Sequence, residues 1–320
     1  MSDLGHVLVL AGGLSYEREV SLKSGRRVSE VLRAGGIDVE TRDTDASLIP
    51  SVLADPPDAA FVTLHGGSGE DGAIRSVLEL LNVPYVGAGP EACRIAFDKP
   101  SAKAIIKATG LSTPDSVTLP KETFHDLGAT AMLERIIDRL GLPLFVKPAR
   151  GGSALGASLV RTAEELPAAM VGCFAYGDTA LIERYVSGVE IAISVVDHGD
   201  GPKALPPVEI VPDAGVYDYA ARYTAGHTEF FAPARLSPAA TAACAEMAVT
   251  AHTALRLRDL SRTDLIVDSD GHPHFLEVNV APGMTETSLF PMSVEASGQD
   301  LGTLCRTLLE SAASRPRCST

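Results

Sequence analysis

Apolar strand patterns and amphipathic helix patterns alternate through the first ~95 residues, and this alternation leaves few folds open to the chain. The strand candidates are residues 6–10, 37–41 and 59–64, which are rich in apolar or β-branched side chains. Apolar residues recur at helical spacing over 21–34, where two glycines follow, and over 74–81. Because parallel strands need a crossover connection, which is usually a helix, the pattern predicts a doubly wound parallel sheet within an α/β fold.

The rest of the chain predicts a mixed set of elements around shared clefts, because no long linker separates its parts. In order, these elements are a helix with Lys99, Lys103 and Lys107, strands at 144–147 and 158–160 joined by a Gly-rich turn, a strand at 191–196, an irregular Tyr-rich segment at 215–231, and an Ala-rich helix from about Ser237.

Composition excludes several classes of protein. The formal net charge of −14 argues against a nucleic-acid partner, which would normally meet a basic patch. The five cysteines are odd in number and show no metal-binding spacing, so we expect reduced thiols in a cytoplasmic protein. The N-terminus lacks a basic region and predicts a strand rather than a signal peptide. No apolar stretch approaches the ~20 residues of a membrane span, so we expect no membrane association.

The stretch RTDLIVDSDGHPHFLEVN (262–279) predicts a hairpin that turns at Asp270-Gly271. Counting outward from a two-residue turn gives the pairs Asp264–Glu277 and Arg262–Asn279. Residues paired in this way lie on one face with Cβ atoms about 4.5–5.5 Å apart, so two carboxylates would face each other. Such carboxylates repel unless a cation lies between them, and oxygen ligands of this kind suit Mg²⁺.

On these residues alone, an alternative remains open. The hairpin could lie on the surface with one face in water, and one carboxylate could simply pair with Arg262. The DSDG string also resembles part of a calcium loop, but the Glu that completes such a loop is not at the required spacing, which favours the turn.

KPARGGSALG (147–156) follows an apolar strand and combines Lys147 and Arg150 with three glycines. Backbone N–H groups of a Gly-rich loop, together with a lysine, can hold a polyphosphate. The order of residues is not that of a Walker loop, and an ordinary glycine turn is the alternative. The glycines after the first strand lack the GxGxxG pattern, so a nicotinamide enzyme is not favoured.

Two further segments lie at predicted strand ends, ERYVSGVE (183–190) and HGGSGEDG (65–72). Taken alone, the two Glu residues of the first are more often solvated, and His65 is more often structural.

Taken together and in order, these motifs resemble the D-alanine–D-alanine ligase family of ATP-grasp enzymes. The matching strings are GGLSYEREVSLKSG, LHGGSGEDG, FDKPSAK, VKPARGGSALG, IERYVSGVE, VYDYAARY, RTDLIVDSDG and LEVNVAPGMTETSLFP, which run from residue 12 to residue 291. The resemblance implies a three-domain ATP-grasp fold with an N-terminal domain over 1–97, a central domain over 98–187 and a C-terminal domain over 188–320.

The resemblance also implies the chemistry. ATP would phosphorylate the carboxylate of a first D-alanine, and the amine of a second D-alanine would attack the acyl phosphate, giving the dipeptide, ADP and phosphate for peptidoglycan precursor synthesis. A related ligase that joins another amino-acid pair in a biosynthetic or self-resistance pathway is the alternative. Two Mg²⁺ ions are implied, with Mn²⁺ as an alternative ion and a monovalent cation as an additional one, and the family is usually homodimeric.

Roles carry over by motif, residue by residue. The implied metal ligands are Asp264, Glu277 and Asn279. The implied ATP contacts are Lys99 and Lys147 at the phosphates, Glu183, Tyr185, Val186 and Glu190 around the adenine and ribose, and Ser153, Arg222 and Asn279. Glu17 would take the ammonium group of the first D-alanine, linked to Ser153 and Tyr223. Arg262 would stabilise developing negative charge, and the other implied substrate-side residues are His65, Gly283, Ser288 and Leu289.

The sequence departs from the family pattern at several positions. Arg222 stands where the family usually has Lys, which keeps the charge but changes its geometry. Ala154 replaces a serine that is common in the Gly-rich loop, and Ala281 and the Glu286-Thr287 pair differ near the second substrate. These departures bear on substrate preference more than on catalysis.

Overall fold

A computed structural model describes residues 4–213, 215, 217, 222 and 226–315, which form three β-sheets. The first sheet is parallel and has the strand order β2-β1-β3-β4. Its strands are β1 (His6–Leu10), β2 (Asp38–Arg42), β3 (Ala59–Val62) and β4 (Tyr85–Val86). The parallel sheet predicted from the alternating pattern is therefore confirmed.

Helices cover both faces of this first sheet. From this part of the chain, α1 (Arg18–Ala34), α2 (Leu48–Ala54) and α3 (Ala73–Leu80) pack on it, whereas α4 (Pro90–Phe97) joins the core of the third sheet. Since side chains alternate along a strand, Val7 and Val9 pack in the core on the α1 face, whereas Leu8 and Leu10 pack against α2 and α3. Helix α2 was not predicted, because its seven residues are too few to show a clear helical period.

The second sheet is antiparallel and has the order β5-β8-β6-β7. Its strands are β5 (Ser116–Pro120), β6 (Leu144–Pro148), β7 (Ser158–Val160) and β8 (Thr179–Arg184). The helices of this part are α5 (Lys99–Ala108), α6 (Lys121–Leu127), α7 (Ala129–Leu140) and α8 (Leu166–Phe174). Side chains from α6, α7 and α8 form one core with this sheet, while α5 packs toward the third sheet.

The third sheet is also antiparallel, with the order β12-β11-β9-β13-β14 and β10 paired to β9. Its strands are β9 (Val189–Asp197), β10 (Lys203–Ala204), β11 (Val208–Pro212), β12 (Thr228–Phe231), β13 (Asp259–Val267) and β14 (Pro273–Asn279). The remaining helices are α9 (Pro238–Ala254), α10 (Leu289–Ala296) and α11 (Leu301–Ala313). Ser237 caps α9, its side chain accepting a hydrogen bond from the backbone N–H of Ala240 at 3.2 Å.

The β13–β14 hairpin has the predicted pairs but not the predicted turn. Asp268 pairs with His272 across a three-residue loop in which Gly271 has φ +84°, so the two-residue turn was wrong. With that longer loop, Asp264 would face Leu276. A bulge beyond Asp264 skips Leu276 and restores the pairs Asp264–Glu277 and Arg262–Asn279.

The first and third sheets are joined by buried polar contacts. The carboxylate of Asp259 accepts hydrogen bonds from the backbone N–H of Gly87 at 2.7 Å and from Arg315 at 2.8 and 3.1 Å. The four described cysteines are buried and free, and Cys318 lies outside the described residues. Within the described part of the chain, no helix has both the length and the apolar character that a membrane crossing requires.

Candidate active site

Two adjoining cavities lie where the three sheets meet. The first, of about 380 Å³, lies between the second and third sheets. The second, of about 700 Å³, lies between the third sheet and the N-terminal part of the chain. Every site residue predicted above that the structure describes lines one or both of them, while Tyr223 lies outside the described residues. Lys99, Arg222 and Glu277 line both cavities and so mark their junction.

A buried ion-pair network lies at one wall of the first cavity. Lys147 on β6 and Lys103 on α5 both contact the carboxylate of Glu183 on β8, with 2.9 Å from Lys147 Nζ to Glu183 Oε2. Although burial opposes ionisation, the two lysines lower the pKa of Glu183. Sequence reasoning gave Lys103 no role, although it lies one helical turn after Lys99 on the same face of α5.

The rest of the first cavity combines apolar walls with a few polar groups. Tyr185 and Val186 follow β8 and line the cavity together with Glu190, the second residue of β9. Burial raises the pKa of Glu190 to about 7, and Arg222 partly opposes this rise. The Arg222 guanidinium carbon lies 4.3 Å from the centre of the Tyr217 ring, a cation–π contact.

The β13–β14 hairpin forms the junction between the cavities. Arg262 donates two hydrogen bonds to Asp264, from Nε to Oδ1 at 2.7 Å and from Nη2 to Oδ2 at 2.8 Å. Both side chains are buried, which excludes the alternative of a hairpin with this face in water, although the pairing of Arg262 with a carboxylate is present. Lys99 Nζ lies 3.5 Å from Glu277 Oε2.

Glu277 is an ionised carboxylate at this junction. Burial favours its neutral form, but the positive charges of Lys99, Lys147, Arg222 and Arg262 outweigh burial and lower the pKa of Glu277 to about 2. Because this carboxylate stays ionised, its oxygens can act as ligands for a cation.

The donor set of the hairpin fits a hard cation. Asp264, Glu277 and Asn279 offer only oxygen atoms, the ligand type that Mg²⁺ prefers. Asn279 Oδ1 accepts a hydrogen bond from the Ala281 backbone N–H at 2.8 Å, which orients the amide and leaves a second lone pair available.

Glu17 lies at the start of α1 and is enclosed by glycines. Ser153 Oγ donates a short hydrogen bond to Glu17 Oε1. A Cβ atom at Gly66 would lie 2.3 Å from Glu17 Oε2, and one at Gly152 would lie 2.8 Å from the same oxygen. A side chain at either position would crowd this carboxylate, and Gly66 also has φ +65°, a backbone conformation that favours glycine.

Ser288, Gly283 and Leu289 lie together at the far side of the second cavity. The Ser288 hydroxyl accepts a hydrogen bond from the Thr285 backbone N–H at 3.0 Å and contacts the Thr285 hydroxyl at 2.8 Å. A Cβ atom at Gly283 would lie 2.7 Å from Ser288 Oγ, so a side chain there would crowd this hydroxyl.

His65 reaches the wall of the second cavity, but protein atoms engage both of its ring nitrogens. Nε2 lies 2.9 Å from Ser24 Oγ, and Nδ1 lies 2.9 Å from the Ala281 carbonyl oxygen. The side chain is buried, and this burial lowers the pKa of His65 to about 4.

Glu70 is a carboxyl group that sequence reasoning left without a role. It is buried, lines the second cavity and lies close enough to Glu17 to feel its charge. Burial and the negative charge of Glu17 raise the pKa of Glu70 to about 8, so this group is mainly protonated at neutral pH. The string that contains it, HGGSGEDG, was the available signal.

Replacing His65 with Gln should reduce the dependence of stability on pH. The pKa of His65 is about 4 in the folded chain against 6.5 ordinarily, so between these values only the unfolded chain takes up the proton. The stabilisation by neutral His65 is therefore complete above pH 6.5 and is lost as the pH falls toward 4. At about 1.4 kcal/mol per pKa unit, the loss between pH 7 and pH 5 is about 2 kcal/mol.

Urea unfolding of the wild type and the His65→Gln variant, at pH 7 and at pH 5, measures this loss. The free energy of unfolding of the variant is subtracted from that of the wild type at each pH. The subtraction is needed because burial also lowers the pKa of His252 to about 4, while Glu70 and Glu190 have raised pKa values that act in the opposite sense. The difference in the free energy of unfolding between wild type and variant should be about 2 kcal/mol smaller at pH 5 than at pH 7. A difference that is the same at both pH values would contradict the lowered pKa of His65.

Comparison with known proteins identifies the family. Residues 105–310 match the model "D-ala D-ala ligase C-terminus", and residues 37–88 match "D-ala D-ala ligase N-terminus". Among curated proteins, a D-alanine--D-alanine ligase of Anaeromyxobacter sp. (strain K) is 41% identical over 96% of each chain. One of Pelotomaculum thermopropionicum is 40% identical over 95% of each chain.

Solved structures agree. The D-alanine--D-alanine ligase of Bacillus anthracis matches with TM-score 0.82 and 31% identity, over 96% of this chain and 97% of that one. A structure of the Bacillus anthracis enzyme complexed with ATP matches with TM-score 0.79 and 29% identity, over 96% of both chains. The VanG D-Ala:D-Ser ligase of Enterococcus faecalis matches with TM-score 0.83 and 27% identity, over 97% and 100%. With family models, curated relatives and solved structures in agreement over nearly its whole length, the chain belongs to the D-alanine–D-alanine ligase family and has its ATP-grasp fold.

Proposed function

We propose that this protein joins two D-alanines into D-alanyl-D-alanine at the expense of ATP, releasing ADP and phosphate, as a cytoplasmic step in peptidoglycan precursor synthesis. The observation that carries the proposal is the junction of the two cavities. There the ionised Glu277, the Arg262–Asp264 pair and two buried lysines surround one volume. A nucleotide cavity on one side and a substrate cavity on the other would bring a phosphate and a carboxylate together at that point.

ATP would occupy the first cavity. A structure of a relative holds ATP, and the mixed apolar and charged lining of this cavity suits a purine with a polyphosphate. The lining side chains proposed for ATP are Lys99, Lys147, Ser153, Glu183, Tyr185, Val186, Glu190, Arg222 and Asn279. The proposed domains are residues 1–97, 98–187 and 188–320, with the first cavity between the second and third of them.

Glu183 would contact the nucleotide while it remains ion-paired with two lysines. Its carboxylate is held by Lys103 and Lys147, so it would orient Lys147 toward the phosphates in addition to lining the adenine end. Lys103 would then be a positioning residue, one contact removed from the nucleotide.

Phosphoryl transfer would occur at the junction. A carboxylate oxygen of the first D-alanine attacks the γ-phosphorus, the bond from that phosphorus to the bridging oxygen breaks, and ADP leaves. Lys99 and Lys147 would balance charge on the transferring group, which is the main catalytic contribution open to a protein in this reaction. Asp264, Glu277 and Asn279 would hold Mg²⁺, which when bound neutralises phosphate charge. The same proposal includes two Mg²⁺ ions, which Mn²⁺ could replace, and an additional monovalent cation.

Ligation would follow in the second cavity. The second D-alanine gives up its ammonium proton to solvent, and its amine attacks the acyl carbon. The tetrahedral intermediate then breaks the carbon–oxygen bond, and the leaving phosphate takes the remaining amine proton. Arg262 would stabilise the negative oxygen of this intermediate. Glu17 would hold the ammonium of the first substrate, with Tyr223 as a further partner, while Gly283, Ser288 and Leu289 would hold the carboxylate of the second.

A second candidate is ligation of D-alanine to another amino acid. It is supported by the VanG D-Ala:D-Ser ligase among similar structures and by Ala281, Glu286 and Thr287, which depart from the common family pattern near the second substrate. Release of ADP with D-alanine, L-alanine, D-serine and D-lactate, each with ATP and Mg²⁺, separates the candidates. Turnover that requires a substrate other than D-alanine would favour the second candidate. No turnover with any amino acid would refute both candidates.

The proposed partners are the small-molecule substrates and a second copy of the chain. Ile49, Leu53 and Leu80 are exposed apolar side chains on α2 and α3, which cover one face of the first sheet, and they support self-association there. Light scattering at micromolar concentration tests the homodimer, and titration with K⁺ in the ADP assay tests the monovalent cation.

Replacing Ser153 with Ala should weaken binding of the first substrate. The Ser153 hydroxyl donates to Glu17, and a hydrogen bond to a charged group contributes about 1.5–3 kcal/mol, so we expect KM for the first D-alanine to rise by about 10- to 100-fold. Initial rates of ADP release at varied D-alanine measure this effect. Ser158→Ala on β7, at the far end of the same loop, is the control, and equal effects of the two changes would contradict the role.

A further inference from the structure

Two buried hydrogen bonds tie the N-terminal part of the chain to the loop that follows β14, and a third joins their two N-terminal side chains. Ser24 lies on α1 and His65 follows β3, and both are almost fully shielded from solvent. His65 Nδ1 is 2.9 Å from the Ala281 carbonyl oxygen, and His65 Nε2 is 2.9 Å from Ser24 Oγ. The Met284 backbone N–H donates to the same Ser24 oxygen at 3.0 Å.

The chemistry of these groups fixes the direction of each hydrogen bond. A carbonyl oxygen can only accept, so Nδ1 of His65 carries the proton and Nε2 is an acceptor. Ser24 therefore donates its hydroxyl proton to Nε2 and uses an oxygen lone pair to accept from Met284. Burial, which lowers the pKa of His65 to about 4, keeps the ring in this neutral state at physiological pH. Every member of the network is satisfied, so it holds one arrangement.

The network holds the loop at both ends of Pro282-Gly283. Ala281 is held by His65 on one side, and Met284 is held by Ser24 on the other. Met284 is also buried in the core of the first sheet. The backbone at Gly283, which lines the second cavity beside Ser288, therefore cannot shift without breaking a buried hydrogen bond.

Helix α1 connects this loop to the other end of the substrate cavity. Glu17 is the residue before α1, and Ser24 lies seven residues later, a rise of about 10 Å along a helix. The carboxylate proposed for the first substrate and the hydroxyl that holds the Gly283 loop are thus parts of one rigid element.

We infer that Ser24 and His65 are positioning residues that set the second-substrate loop, residues 281–284, relative to Glu17, and so fix the separation of the two substrates. Neither residue needs to touch a substrate for this role. The inference rests on the proposed function for its kinetic consequence, but the loop anchoring it describes can be measured without turnover.

Ser24→Ala and His65→Asn test the inference, with Ser29→Ala as the matched control. The Asn side chain can still donate to the Ala281 carbonyl but no longer reaches Ser24. Ser29 is equally buried on the same helix, but its hydroxyl contacts Thr41, away from both cavities. Rates of ADP release over a wide range of D-alanine separate KM for the first and second substrate. We expect Ser24→Ala to raise KM for the second substrate at least about tenfold, with a smaller rise for His65→Asn, while KM for ATP stays within about twofold.

Hydrogen exchange of the Met284 amide is the second measurement, because a general loss of stability would not act on this amide alone. We expect exchange of the Met284 amide to be at least about tenfold faster than wild type in Ser24→Ala and unchanged in Ser29→Ala. Each protein is measured at the same interval below its own thermal midpoint. A second-substrate KM that is no higher in Ser24→Ala than in Ser29→Ala would overturn the inference. If the wild type releases no ADP with any amino acid, the proposed function fails, and the exchange rates alone then decide whether the loop is anchored as inferred.

Discussion

Replacing Glu277 with Gln should abolish measurable ligation and leave the fold intact. Gln has the same shape but lacks the negative charge that four cations now surround, and it is a much poorer ligand for a hard divalent cation. Loss of one preorganised electrostatic group in a transition state costs about 10²–10³-fold in kcat, and loss of a metal contact adds to this. The measurement is ADP release at saturating ATP and D-alanine, with circular dichroism to confirm folding.

Asp270→Asn provides the control for this change, because Asp270 lies exposed at the tip of the same hairpin. We expect it to keep wild-type kcat. A Glu277→Gln protein with more than about a tenth of wild-type kcat would refute the proposed metal site and the role of the junction. Isothermal titration with Mg²⁺ and a non-hydrolysable ATP analogue adds a readout independent of turnover, in which the variant should bind the metal–nucleotide complex more weakly.

Replacing Arg262 with Lys should lower kcat by about 10²-fold or more, although the positive charge remains. Lys cannot make the two parallel hydrogen bonds that Arg262 donates to Asp264, so the ammonium would not be held in the plane of the guanidinium. If Arg262 faces the tetrahedral intermediate, kcat should fall far more than KM for ATP changes. Steady-state kinetics with each substrate varied measures this division.

A matched control exists on the opposite side of the third sheet. Arg315 also donates two hydrogen bonds to one carboxylate, from Nη1 and Nη2 to Asp259, and it lines neither cavity. Arg315→Lys should lower the thermal midpoint without a specific loss of kcat. Equal kinetic losses in the two variants would show that the Arg262 effect is structural and would contradict its catalytic role.

The hairpin shows how far local sequence reasoning reaches. The pairing of Asp264 with Glu277 followed from the alternation of side chains and is present, yet the turn is one residue longer than predicted and a bulge at Leu276 compensates for it. An Asp-Gly pair fits both a two-residue turn and the end of a three-residue loop, so the turn sequence does not distinguish them. The predicted pairs are therefore correct even though the step that led to them was partly wrong.

The residues without a predicted role share one physical property. Ser24, Glu70 and Lys103 lie in the same short segments as predicted site residues, but each contacts or senses partners that are distant in sequence. His65 was expected on the substrate side and lines the second cavity, while its ring nitrogens contact Ser24 and the carbonyl of a residue 216 positions later. Nothing in the periodicity around a buried polar residue specifies which distant group will satisfy it.

The sequence by itself determined the parallel first sheet, the Gly-rich loop after β6 and the facing carboxylates of the hairpin, because these features depend on side-chain periods of 2 and 3.6 and on turn chemistry over short distances. Only the tertiary structure decided which charges meet. It brings Lys103 to Glu183 across 80 residues and surrounds Glu277 with cations from several elements. The reason is that ionisation and hydrogen bonding of buried groups depend on the full set of neighbours in a low-dielectric interior, and that set exists only after the three sheets have packed together.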